Sequence, residues 1–183
     1  MRDHRRIAHK LAPAIVIATV LALSGGILAQ AQTAGTTLPS TAATTLAGAA
    51  ISLPIPGKIT LLALGFSRAS GTAAGVAWKQ MQPFCAAHPQ VACYQVAVLQ
   101  DAPGWIRGMI ERGLRNARTQ AEREQFVTVV TNEQAWKQAL HATDALAGYA
   151  VLVGIDGRIL WQTQGQEATL HIDAQALESH LPK

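Results

Sequence analysis

The chain has 183 residues, 49% of them hydrophobic and 14% charged, which is enough apolar bulk for a buried core and too little charge for a solvated polyelectrolyte. Its formal charge of +4 is largely a property of the first 31 residues, which hold four of the 15 basic and one of the 11 acidic side chains; 11 against 10 remain, a net +1. That balance excludes a nucleic-acid footprint, which needs a basic patch on the domain itself.

Arg2, Arg5, Arg6 and Lys10 precede an apolar run from Leu11 to Leu28 that ends in Ala29-Gln30-Ala31. This is the pattern of a signal peptide over residues 1–31, cleaved after Ala31. The alternative is an anchor in the inner membrane formed by residues 11–28, a length that spans a bilayer. Either way the rest of the chain is expected outside the cytoplasm, periplasmic or secreted. Residues 32–45 are mostly Thr, Ala, Ser and Gly with one proline and no charge, and read as a flexible linker. Residues 46–183 then make one domain of ordinary size.

Within it, the run from Lys58 to Phe66 suits a strand buried on both faces. Ser70 or Thr72 is placed to cap a helix carrying Val76, Trp78 and Phe84, with Pro83 kinking it or ending its regular bonding. Tyr94–Leu99 is a second strand. Asp101-Ala102-Pro103 opens a second helix in which Trp105, Ile106, Met109, Ile110 and Leu114 recur at helical spacing. A third strand at Phe126–Val130 precedes a helix capped by Asn132, and Tyr149–Ile155 is a fourth strand. Asp156-Gly157 makes a tight hairpin into Arg158–Thr163, and Asp173 starts a last helix through Leu177 and Leu181. The expected class is therefore α/β, a mixed sheet covered by helices.

This order, with Gly57–Phe66 and Ile155–Trp161, resembles the thioredoxin superfamily and within it the TlpA/ResA-like exported branch, over about Leu46 to Leu181. The resemblance implies a Cys-x-x-Cys pair at the start of the first long helix, where the helix N-terminus stabilises a thiolate. The matching stretch, Ser67 to Ala74, has no sulfur. It also implies a cis-proline before the strand that enters the hairpin, near Ala150, yet no proline stands between Pro103 and Pro182. Phe66-Ser67-Arg68, Trp78, Pro83-Phe84 and Gly148–Leu152 through Gly157–Trp161 further resemble mitochondrial ATP synthase assembly factors of the Atp-ten type, which are thioredoxin-like and lack the dithiol.

The remaining sulfur is Cys85 and Cys93, expected as a disulfide that staples a helix-strand return around His88 and Pro89. A displaced redox couple is the competing reading; a helix C-terminus, which raises a thiol pKa, disfavours it. Arg68, Ser70 and Thr72 at a helix start offer an anion site, against simple capping. Arg107, Arg115 and Arg118 share one face of the second helix, suited to an acidic partner or a membrane surface, against a solvated face. His88, His141, His171 and His180 lack metal-ligand spacing, so neither a metal nor a cofactor is expected. The expectation is an exported, redox-inactive thioredoxin-fold protein that binds or assembles an envelope protein. The alternative is a divergent thiol-disulfide oxidoreductase using Cys85 and Cys93.

Overall fold

A computed structural model describes residues 35–181; the expected leader, residues 32–34 and the last two positions lie outside the described residues. The elements run β1 (Thr41–Thr45), β2 (Ala50–Leu53), β3 (Thr60–Gly65), α1 (Arg68–Ala87), β4 (Ala92–Val98), α2 (Gly104–Asn116) and α3 (Gln120–Gln125). β5 (Phe126–Val129), α4 (Glu133–Ala139), β6 (Gly148–Val153), β7 (Ile159–Gly165) and α5 (Ala174–Ser179) complete the elements of the described residues. Among the described residues no helix is long and apolar enough to cross a membrane.

One sheet holds all seven strands in the order β2-β1-β5-β4-β3-β6-β7. β3, β4 and β5 run parallel, β6 and β7 return antiparallel on one side, and β1 and β2 do so on the other. β3 and β6 form the centre because each is a continuous apolar run, and every residue of both is buried. Period-two alternation divides their side chains between two cores. Leu62, Leu64, Val96, Val98, Val127 and Val151 face α4 and its Trp136. Leu61, Ala63 and Leu152 face α1, through Ala73, Ala77, Trp78, Met81 and Phe84, together with Leu177 of α5.

The linker expected over residues 32–45 is corrected by the structure. Thr41–Thr45 is a strand that alternates buried and exposed, its buried members being Thr41, Ala43 and Thr45. Leu38 is sunk in the core, worth roughly 1.5–3 kcal/mol, and Trp136 Nε1 donates to the Pro39 carbonyl at 2.8 Å. The domain therefore begins before residue 46. Small side chains suffice for a strand whose backbone pairs with Leu53 through Ala50 of the edge strand β2 on one side and with Thr128 and Val127 of β5 on the other.

Two further expectations change. Pro83, expected to kink the first helix or end its regular bonding, stands inside α1, which continues to Ala87. The second helix stops at Asn116, and a separate short helix begins after Thr119, whose hydroxyl and Glu122 form a reciprocal capping box. Arg118 thus lies in the turn between helices and Arg123 on α3.

Candidate functional site

The start of α1 is where the resemblance places the fold's reactive groups. β3 ends at Gly65, where a Cβ would stand 2.5 Å from the Gly71 amide nitrogen, so helix and strand meet backbone to backbone. The cap is Ser67, not Ser70 or Thr72: its backbone is extended (φ −147°, ψ 175°) and its hydroxyl accepts from the Ser70 amide at 3.1 Å. Ser70 is buried, and its hydroxyl accepts from the Phe66 amide at 2.9 Å. Thr72 donates back to the Arg68 carbonyl at 3.2 Å. All three hydroxyls are thus engaged with the local backbone.

Ser67 Oγ also donates to the Ala145 carbonyl at 2.7 Å. Ala145 belongs to the loop entering β6, so this loop, and not Ala150, faces the helix start. Ala150 lies mid-strand, paired with Ala63. The loop is fixed by Asp144, whose carboxylate accepts from the Leu146 amide at 2.8 Å and from Gln166 Nε2 at 3.1 Å. Those bonds, the Leu146 amide first, hold its carboxyl below the usual carboxylate range.

The candidate cations do not converge. Arg68, Thr72 and Arg118 line one cavity, whereas Arg115 donates to the Leu46 carbonyl at 3.0 Å and borders a separate recess against β1. Arg107 borders neither. Arg118 lies 4.0 Å above the Phe126 ring and donates to the Leu114 carbonyl at 3.0 Å; burial lowers its pKa, opposed by Glu122. Ser70, turned into the protein, is not on the cavity wall.

That cavity, about 740 Å³, opens between α1 and α2 above β4 and β5. Val96 and Val98 point to the opposite core, so Ala97 and Gln95 form its floor. α2 is its roof. No residue of this helix is buried; Trp105 is 75% and Met109 59% exposed, although helical spacing read them as core-facing.

Glu133 closes the cavity at the carboxyl end of the strands. It is only 2% exposed, its amide donates to Gln100 Oε1 at 2.9 Å, and its Oε1 pairs with Lys137 Nζ. Lys137 also stands 3.9 Å from Asp101 and 5.4 Å from the centre of the Phe66 ring. Sequence reading passed over Glu133, because an acid in the first turn of a helix reads as a complement to its dipole.

Cys85 and Cys93 are joined, with Cα atoms 6.2 Å apart, between the last turns of α1 and the second residue of β4. Cys93 is buried and Cys85 half-buried against the same core. Within the loop they close, His88 stacks on Phe84 at 4.3 Å, and its Nδ1 lies 2.9 Å from the Phe84 carbonyl. His141, His171 and His180 are exposed.

No family model matches the chain. No curated protein matches it. Solved structures do resemble it, at low identity. A protein assigned as the thiol:disulfide interchange protein DsbE from Chlorobium tepidum is 19% identical with a TM-score of 0.50, covering 81% of this chain and 94% of its own. The exposed lipoprotein thioredoxin Etrx1 of Streptococcus pneumoniae is 10% identical with a TM-score of 0.51, covering 77% and 96%. A peroxiredoxin-like protein from Aquifex aeolicus is 11% identical with a TM-score of 0.52, covering 83% and 90%. With its mixed seven-stranded sheet flanked by helices, the chain has the thioredoxin-like α/β fold.

Proposed function

We propose that this chain is an exported thioredoxin-fold protein that acts by binding, as an assembly factor for an envelope or membrane protein, and not by thiol chemistry. The observation that carries this reading is the start of α1, where Ser67 and Ser70 spend their hydroxyls on backbone hydrogen bonds and no thiol is present. A hydroxyl at such a position cannot exchange disulfides, whereas a thiolate can. The resemblance to ATP synthase assembly factors supports an assembly role, and the leader pattern with a disulfide supports an oxidising compartment outside the cytoplasm. The partner is a protein of the cell envelope.

The second reading is a divergent thiol-disulfide oxidoreductase using Cys85 and Cys93. The asymmetry of the pair favours it, since a half-buried Cys85 beside a buried Cys93 is the order of an attacking and a resolving thiol. Insulin reduction and the refolding of scrambled ribonuclease by the purified protein separate the two. Binding predicts no turnover above the uncatalysed rate and a bond that survives millimolar glutathione. Turnover abolished by Cys85→Ser would overturn it.

A further inference from the structure

We propose that the cavity between α1 and α2 binds a small amphipathic amine, its apolar body under α2 and its ammonium group on Glu133. The inference is independent of whether Cys85 and Cys93 exchange disulfides. A volume of about 740 Å³ suits a ligand of some tens of atoms. Ile106, Ile110 and Leu114 recur every fourth residue on α2, an apolar stripe that ordinarily presses against a sheet. Here all three are only half-buried, and Ile110 and Leu114 face the cavity above Ala97 and Gln95. An aliphatic or aromatic body fills that space and completes the burial of Ile110 and Leu114.

The polar end is set by Glu133. Its carboxylate is almost wholly buried and borders the cavity; Oε1 pairs with Lys137, and among the described residues no donor reaches Oε2. A buried carboxylate oxygen calls for a donor, and a charged donor bonds about twice as strongly as a neutral one. Lys137 is shared between Glu133 and Asp101, so one cation serves two carboxylates at this end. Arg68, exposed at the first position of α1, also borders the cavity. Arg118 at the far end is committed to the Leu114 carbonyl and the Phe126 ring. An ammonium head completes Oε2, whereas a carboxylate head places a second anion against it.

Calorimetric titration of the purified protein at neutral pH with decylamine, decanol and decanoate, each kept below its aggregation limit, tests the assignment. Decylamine is expected to bind saturably, decanol about tenfold more weakly and decanoate more weakly again. Glu133→Gln is expected to erase the preference of amine over alcohol. Ala97→Leu, which grows from the floor into the cavity, is expected to weaken amine and alcohol alike by at least about tenfold. The ranking on the unsubstituted protein stands on its own if either variant fails to fold. Absence of saturable binding by decylamine at roughly 1 mM, decanol or decanoate binding at least as tightly as the amine, or unaltered affinities in a folded Ala97→Leu protein would each overturn the proposal.

Discussion

Ser67 Oγ donates to the Ala145 carbonyl across 2.7 Å while accepting from the Ser70 amide at 3.1 Å, so a single hydroxyl caps α1 and ties it to the loop before β6. Ser67→Ala is expected to cost about 1–2 kcal/mol, the range for a lost cap, and to lower the melting temperature by roughly 3–8 °C. Ser67→Asp tests the second bond. Aspartate caps as well as serine in general, but here its carboxylate, having no proton to give, faces the Ala145 oxygen. Thermal denaturation should place Asp below Ser in stability; equal melting temperatures would show that the Ala145 contact contributes nothing.

Gly148 lets that loop enter the sheet. A Cβ there would stand 2.5 Å from the Ala74 nitrogen and 2.8 Å from the Ala73 carbonyl carbon, both backbone atoms of α1 that cannot move aside cheaply. Gly148→Ala should therefore cost about 1–3 kcal/mol or more through overpacking. Gly108 on α2 is the contrast, since a Cβ there meets nothing within 4 Å. Gly108→Ala should gain up to about 1 kcal/mol of helix propensity. Urea unfolding of the two variants should move the midpoint in opposite directions.

What was legible in the sequence follows from these contacts. β3 and β6 were readable because burial on both faces demands unbroken apolar runs, and α5 because Asp173 caps it, accepting from Gln175 and Ala176. β1 was not, because Thr41, Ala43 and Thr45 are too small to mark an alternation, and the strand is held by backbone pairing to β2 and β5 on its two sides instead of by side-chain bulk. The break after Asn116 was readable in principle: Thr119-Gln120-Ala121-Glu122 is a capping-box signature. The cap of α1 was misplaced because three hydroxyls stand within six residues and only backbone angles separate them. The cavity was hidden for a different reason. Periodicity reports that α2 has an apolar face but not how far that face stands from the sheet, and Glu133 is buried by tertiary contacts that no local pattern encodes.

The bond between Cys85 and Cys93 closes a loop of eight residues in sequence separation. On the chain-entropy account a loop of that size contributes about 2.5 kcal/mol at 25 °C. The double replacement Cys85→Ala with Cys93→Ala should lose about that much and leave the far-ultraviolet circular dichroism unchanged, since β3 and β6 do not depend on it. A loss of stability several times larger would mean that the bond organises the packing of α1 against β4 as well as shortening the unfolded chain.

Asp144 makes a pH-dependent contribution whose sign is fixed by its partners. The Leu146 amide and the Gln166 side chain, and last the Ala147 amide, favour its ionised form over an opposing desolvation, so its folded pKa lies below the ordinary value. The folded protein then binds this proton less readily than the unfolded chain. The resulting stability is fully present above the unfolded pKa of about 3.9 and is lost as pH falls through the depressed folded value. Glu122, lowered by its Thr119 bonds, acts in the same direction, so part of the acid transition persists when Asp144 is replaced. Asp144→Asn should melt below the unsubstituted protein at pH 7, and the gap should close as pH drops below about 4. The same substitution removes a charge that, after burial, helps to raise the Tyr149 pKa. Tyr149 stabilises the fold below the unfolded tyrosine value and less as pH rises through its own, so the variant should show a slightly smaller alkaline loss. Melting curves from acid to alkaline pH read both limbs, and a gap that stays constant across the acid limb would show that Asp144 holds its loop without help from its charge.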